Sequence, residues 1–333
     1  MAGGDYRRSG VDIDAGNDAV RRIKALARTT YTSGVLAGVG SFGGLFALDD
    51  RPADSVLVAS ADGVGTKLRV AFMAGAHESI GVDLVNHCVN DILVQGAQPL
   101  FFLDYLATGR IAPEIAEQIV SGIVHACRDN GCALLGGETA EMPGFYAEGE
   151  YDVAGFIVGL VSRARMIDGH AIEAGDCLIA LPSSGLHTNG YSLARYLVFQ
   201  VLQLRIDDHV PELGETVGAA LLRPHRSYLP LIAPLLEGGR IKGMAHITGG
   251  GITENLPRVL PENRGFSLDR QSWTIPPLFA WLQAAGRVPE PEMFRAFNMG
   301  VGLIVVASAD EAPGLIGSLQ AVGEPAWVLG EVT

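Results

Sequence analysis

The chain has 333 residues, 48% of them hydrophobic and 18% charged, which excludes a disordered polymer and exceeds one small domain. A net charge of −13 without any basic run argues against a nucleic-acid partner. No apolar leader opens the chain, no apolar stretch approaches the ~20 residues of a membrane span, and Cys88, Cys127, Cys132 and Cys177 form no CxxC pair, so a cytoplasmic protein with reduced thiols, no zinc and no membrane contact is expected.

In chain order, residues 1–16 read as a polar, glycine-rich arm. Asn17–Arg28 has helical apolar spacing at Val20, Ile23, Leu26 and Ala27, leaving Lys24 off the apolar face. Asp54–Ser60 reads as a strand running into Ala61-Asp-Gly-Val-Gly-Thr-Lys67, with a helix over 66–74. The next helix, 80–94, carries Asp83, His87, Asn90 and Asp91 along one stripe. A strand at 99–106, a helix at 113–130 opened by Pro113, a strand at 132–135 and another at 153–161 complete a first domain over 17–165. A second domain over 166–333 follows, with strands at 177–181, ending at His246, 265–268, 301–307 and 326–332. Its helices are expected at 190–202, 225–236, 252–259, 277–282 and 311–322. Alternating strands and helices predict a layered α/β or α+β fold.

Glycine is abundant, 43 residues, and clusters where apolar runs end. In the 61–67 turn, Gly63 and Gly65 let backbone N–H groups approach phosphate oxygens, Thr66 supplies a hydroxyl, Lys67 a positive charge, and Asp62 a ligand for Mg²⁺. The alternative for this turn is a solvated strand end. Glu138, after Gly136-Gly137, and Asp91, on an apolar helix, favour the ligand reading, because lone carboxylates in such segments are rarely buried unless paired or metal-bound. Asp83, His87 and Asp104 read as supporting or satisfied core groups. Gly38-Val-Gly-Ser-Phe-Gly43 matches G-x-G-x-x-G, but no convincing strand precedes it and no adequate helix follows. It reads as a loop covering phosphates, with Gly43 and Gly44, and not as a dinucleotide fingerprint. Two further loops precede helices in the second domain: Ser183-Ser-Gly-Leu-His-Thr-Asn-Gly190 and His246-Ile-Thr-Gly-Gly-Gly251. Helix N-termini attract anions, so Ser184, Gly185, His187, Thr188, Asn189, Gly249, Gly250 and Gly251 form a candidate substrate-phosphate site. Ordinary N-capping by Thr188 or Asn189 is compatible with that role. His209 and His225 read as surface or structural.

Taken together, Tyr6–Ile13, Ser41-Phe-Gly-Gly44, Asp62–Lys67, Cys88-Val-Asn-Asp91, Pro99–Tyr105, Gly136–Gly144, Tyr151–Phe156, Ser184–Gly190, His246–Gly251, Glu254–Arg258 and Phe297–Gly300 resemble the phosphoribosylformylglycinamidine cyclo-ligase (aminoimidazole ribonucleotide synthetase) family. The resemblance spans nearly the whole chain. Ser41, Ala61 and Thr188 depart from its usual residues without removing a charge. It implies a two-domain fold, with amino-terminal strands joining a dimeric β-barrel and a carboxy-terminal α/β sandwich, in a homodimer. It also implies ATP-dependent ring closure of formylglycinamidine ribonucleotide to aminoimidazole ribonucleotide, through phosphorylation of the formyl amide oxygen. Under it, Asp62, Asp91 and Glu138 surround Mg²⁺, Lys24 and Lys67 reach the ATP phosphates, and His246 is a candidate base. Competing expectations are another ATP-dependent phosphoryl-transfer enzyme, or a nucleotide-binding maturation protein of the same fold.

Overall fold

The computed structural model describes residues 13–40, 43–49 and 51–333; the expectations on residues 1–12, Ser41 and Phe42 lie outside them. The chain forms two compact units, Met1–Ile92 with Pro99–Leu160, and Leu93–Gln98 with Val161–Thr333.

The first unit is built from α1 (Ile13–Arg28), β1 (Val35–Ala37), β2 (Leu45–Phe46), β3 (Ser55–Gly63), α2 (Leu68–Ala74), α3 (Glu78–Leu93), β4 (Gln98–Thr108), α4 (Pro113–Asp129), β5 (Ala133–Glu141) and β6 (Tyr151–Ser162). Its sheet runs β3-β6-β4-β5, and β4 and β5 are parallel, joined by α4 as a crossover requires. α1 opens at Ile13, earlier than its apolar spacing predicts, and thus takes in the end of the expected arm. The face turned to α3 and α4 is the core: Leu84, Val85, Cys88, Val89 and Ile92 of α3 are solvent-free, as are Ile123 of α4 and Phe102 of β4. The two helices cross at glycines. A Cβ on Gly81 would stand 2.0 Å from the Ile119 carbonyl oxygen, and one on Gly122 1.9 Å from that of Glu78.

Alternation puts Val58 inward and Leu57 outward on β3, and Tyr151, Val153 and Ile157 inward with Phe156 outward on β6. Leu57 and Phe156 remain 58% and 43% exposed on this second face of the sheet. Both β3 and β5 run further than their apolar residues predict. Glycine pairs do not stop them, because neighbouring strands continue to pair: β4 and β5 are partnered from Phe101↔Ala133 to Thr108↔Glu141, with one register shift between Phe102↔Leu134 and Leu103↔Gly136. Asp62 therefore stands at the end of β3 and Glu138 within β5, and neither lies in a loop.

The second unit contains β7 (Cys177–Pro182), α5 (Tyr191–Arg195) continuing as a π-helical turn Tyr196–Val201, β8 (His209–Val210), β9 (Glu215–Thr216), α6 (Val217–Leu221), α7 (Leu229–Leu236), β10 (Gly243–His246), α8 (Gly251–Asn255), β11 (Phe266–Leu268), α9 (Pro277–Gly286), α10 (Glu290–Ala296), β12 (Val301–Ala307), α11 (Ala312–Ala321) and β13 (Trp327–Val332). Its five-stranded sheet, β10-β12-β7-β13-β11, is antiparallel at every pair. Leu178, Ala180, Ile304, Val306 and Leu329 form its core with Ile172, Ile252 and Leu256. α7 begins at Leu229, with Pro230 in its first turn, so His225 precedes the helix expected to contain it. The chain thus has a mixed α/β, two-unit fold. No helix among the described residues is long and apolar enough to cross a membrane.

Candidate functional site

The first candidate site lies at the carboxyl end of edge strand β3. Gly63 N–H donates to Asp62 Oδ1 (2.7 Å), and His87 Nε2 stands 2.8 Å from Asp62 Oδ2. One turn along α3, Asp91 Oδ2 lies 3.9 Å from the same His87 nitrogen and accepts from Ser60 Oγ at 3.0 Å. Both carboxylates are reachable: the Asp62 side chain is 43% and the Asp91 side chain 26% exposed, whereas His87 is buried. Burial resists a charge on His87, but the bond to Asp62 and the fields of Asp91, Asp62 and Asp83 prevail and hold its pKa above the ordinary value. Burial likewise raises Asp62, and is outweighed by His87 and the Gly63 N–H, so the carboxyl titrates below its ordinary value despite Asp91. Two carboxyl groups around one imidazole form an acidic pair of the kind that holds Mg²⁺ together with substrate phosphates.

Lys24 approaches the glycine segment, its Nζ 2.7 Å from where a Cβ on Gly40 would stand. Beyond Gly43 and Gly44 the segment continues as β2 and not as a helix, so it lacks the strand–turn–helix form of a dinucleotide fingerprint. Gly65 and Thr66 are exposed in the turn after β3.

Lys67 differs from expectation. Its side chain is fully buried, with Nζ 2.9 Å and 2.7 Å from the two oxygens of the equally buried Asp83. Burial depresses its pKa and Asp83 opposes that shift. An ammonium so enclosed supports the turn from beneath, and contact with ATP phosphates does not fit this position.

Glu138 differs too. It is exposed on β5, at the opposite edge of the sheet from β3, so three strand spacings, roughly 14 Å, separate it from Asp62. One chain does not gather Asp62, Asp91 and Glu138 into a single cluster. Beside Glu138, Asp104 is buried against Gly137, and burial pushes its pKa up to about 7.

The second candidate site belongs to the second unit. β12 lies between β7 and β10, with Leu303 opposite Leu181 on one side and His246 on the other. The loops after β7 and β10 therefore leave the sheet at the same end. Asn298 fixes the first loop, donating from Nδ2 to the Gly185 carbonyl (2.9 Å) and accepting from Ser183 Oγ (3.0 Å). Ser184 Oγ donates to the Pro224 carbonyl at 2.6 Å, tying in the segment that carries His225. Asn255 fixes the second loop, its amide donating to the carbonyls of Thr248, Gly249 and Gly251. Gly250 and Gly251 have φ of 92° and 60°, and a Cβ on Gly251 would collide with the Phe294 carbonyl, so this turn requires glycine. The loops meet where Asn189 Oδ1 lies 3.3 Å from the position of a Cβ on Gly249. Ser184, Gly185, His187, Thr188, Asn189, His246 and Gly249–Gly251 are thus assembled in one place, with Asn189 and Gly249 towards solvent and His187 inside.

Beneath them lies a cluster that residue spacing does not reveal. His187, His225 and His246 are all buried, and His225, read as surface or structural, occupies the middle. His187 and His225 stack at 4.0 Å between centroids and 17° between planes, and His225 Nε2 lies 2.9 Å from His246 Nε2. The backbone N–H of Ser184 donates to His187 Nε2 (3.1 Å), which fixes that nitrogen as an acceptor. Three nitrogens, one from each ring, lie close enough to suggest a metal. The stacking argues against one: imidazole lone pairs lie in the ring plane, and two nearly parallel planes cannot both aim at one ion ~2.1 Å away. His209, by contrast, is exposed in β8.

A two-unit α/β chain with an acidic pair beside a strand end and two glycine-bearing candidate anion loops defines a class. The family models for AIR synthase related proteins match it, the N-terminal domain over residues 43–161 and the C-terminal domain over 173–333. Solved structures agree on the fold: a thiamine-monophosphate kinase from Stenotrophomonas maltophilia (TM-score 0.70, 20% identity, 95% of this chain and 93% of that one) and the hydrogenase maturation protein HypE in complex with ATP (TM-score 0.67, 17% identity, 94% and 85%). The phosphoribosylformylglycinamidine cyclo-ligase of Desulfitobacterium hafniense is 54% identical over 99% of this chain and 97% of its own length, and that of Sorangium cellulosum is 53% identical over 98% and 94%. The chain belongs to the phosphoribosylformylglycinamidine cyclo-ligase family.

Proposed function

We propose that the protein closes the imidazole ring of formylglycinamidine ribonucleotide at the expense of ATP, giving aminoimidazole ribonucleotide, ADP and phosphate, in purine biosynthesis. The observation that carries this reading is the 54% identity to a curated cyclo-ligase over 99% of this chain, in which the candidate loops and the acidic pair are present. An amide oxygen is a poor leaving group. The formyl oxygen therefore first attacks the γ-phosphorus, releasing ADP; the amidine nitrogen then closes on the same carbon, and phosphate departs with the former C–O electron pair. Such chemistry asks the protein to position reactants and neutralise charge.

Asp62 and Asp91 suit Mg²⁺, since the two carboxyl groups are adjacent and open to solvent. The ion, when bound, would offset the negative charge of the phosphates. Lys24 is assigned to the phosphates from the glycine segment, and the N–H group of Gly65 to their backbone contact. Asn189 and the Gly249–Gly251 turn are assigned to the ribonucleotide phosphate, and His246 to the amidine proton. Leu57 and Phe156 leave an apolar sheet face uncovered, which supports a homodimer in which a second copy covers it and the strands complete a barrel. In that assembly Glu138 reaches the acidic pair from the other copy.

The test is product formation by the purified protein. Wild-type protein with ATP, Mg²⁺ and the amidine ribonucleotide is expected to form aminoimidazole ribonucleotide and ADP one for one. Asp62→Asn is expected to lose on the order of 10²-fold or more in kcat, and chelation of Mg²⁺ to stop turnover until it is restored. ATP hydrolysis without the imidazole product would overturn the reading.

A further inference from the structure

We propose that His225 is a positioning residue for His246, setting which nitrogen of that ring carries the proton; the proposal rests on the reading of His246 as the base of ring closure. Two imidazole nitrogens cannot sit 2.9 Å apart with both lone pairs facing, so a proton lies between His225 Nε2 and His246 Nε2. The bond is held from the His225 side. That ring has no solvent exposure, stacks on His187 at 4.0 Å, and places Nδ1 3.4 Å from Thr188 Oγ1. His187 is itself fixed by the Ser184 N–H, and the Ser184 hydroxyl binds the Pro224 carbonyl next to His225. Each anchor lies in the candidate substrate loop or directly beside His225, so loop, stack and bridge form one rigid unit.

The Thr188 hydroxyl can either donate to His225 Nδ1 or accept from it, so the bridging proton can sit on either ring. With the proton on His246 Nε2, the His246 Nδ1 position is the basic one, and His225 Nδ1–H donates to Thr188. When the amidine closes, its N–H proton passes to His246 while its electron pair forms the new C–N bond and phosphate leaves with the C–O pair. The bridging proton then shifts to His225, and one positive charge is shared over two rings. Nothing is oxidised or reduced.

His225→Phe keeps a ring against His187 and removes both nitrogens; His225→Gln restores one hydrogen-bonding amide. Nitrogen-15 NMR of the histidine rings in the full-length protein reads the tautomers directly. In the wild type, one of the His225 and His246 Nε2 atoms is expected to be protonated and the other bare or in exchange with it, and His225→Phe is expected to move the His246 signals to a mixed-tautomer pattern. In the same variant kcat is expected to fall about 10²-fold with KM for the ribonucleotide within about twofold, and His225→Gln to recover part of kcat. Unchanged His246 signals in His225→Phe, a rise in KM with kcat intact, or a stoichiometric metal ion in the purified protein would each overturn the proposal. If His225→Phe does not fold, wild-type spectra with both Nε2 atoms bare would do the same. His246→Ala separates the two readings: full turnover in that variant, with the NMR change present in His225→Phe, upholds the contact and removes His246 as the base.

Discussion

Lys67 and Asp83 carry opposite charges where no water reaches either. Removing one partner strands the other, so Lys67→Met is expected to cost about 3–5 kcal/mol, and Lys67→Met with Asp83→Leu to regain most of it. Urea unfolding of the two variants checks this. A loss of ATP affinity without loss of stability in Lys67→Met would return Lys67 to the phosphates. Asp104 supplies the pH dependence. Burial raises its folded pKa to about 7, so between the unfolded carboxyl value and that point the folded chain binds more protons. Its contribution is therefore present in acid and lost as pH rises through about 7. Asp104→Asn is expected to be more stable than the wild type at pH 8 by on the order of a few kcal/mol, with the difference vanishing near pH 4. Parallel unfolding curves at both pH values would contradict that. The place of Lys67 is not legible in the sequence, because a lysine after a glycine turn looks identical whether it faces phosphate or a carboxylate from the next helix. His225 was missed because its burial comes from Thr188, His187 and His246, none of them its sequence neighbours.

Among elements, the crossing of α3 and α4 is the most constrained. Gly81 and Gly122 let the helix backbones touch, and a methyl group at either would meet a carbonyl oxygen at about 2 Å. Gly122→Ala is expected to destabilise by about 3 kcal/mol, measured as a drop in unfolding midpoint, because two helix backbones must part. Since α3 carries His87 and Asp91, activity should fall with it. Apolar periodicity located α3, α4, β4 and β6 well, because each buries a regular face. Periodicity failed where pairing decides: β3 and β5 run through glycines into Asp62 and Glu138 because adjacent strands still offer partners. It also misses α10, and it places His225 inside a helix that starts only at Leu229.

At the scale of the molecule, each candidate half-site was legible as chemistry: a carboxylate and glycines after a strand, hydroxyls and histidine before a helix. What residue order cannot convey is that Glu138 and Asp62 occupy opposite edges of one sheet. The assembly proposed through the Leu57–Phe156 face would resolve this, and it is testable. Leu57→Glu with Phe156→Glu is expected to give monomers in sedimentation and little turnover. Mixing inactive Asp62→Asn and Glu138→Gln chains is expected to restore about a quarter of wild-type activity, because random pairing makes half the dimers mixed and each mixed dimer has one intact site. The central claim, ring closure through a phosphorylated formyl oxygen, is tested most directly by following that atom. With substrate labelled by oxygen-18 at the formyl oxygen, all of the label is expected in inorganic phosphate, one atom for each imidazole formed; label found in water or kept by the nucleotide product would contradict it.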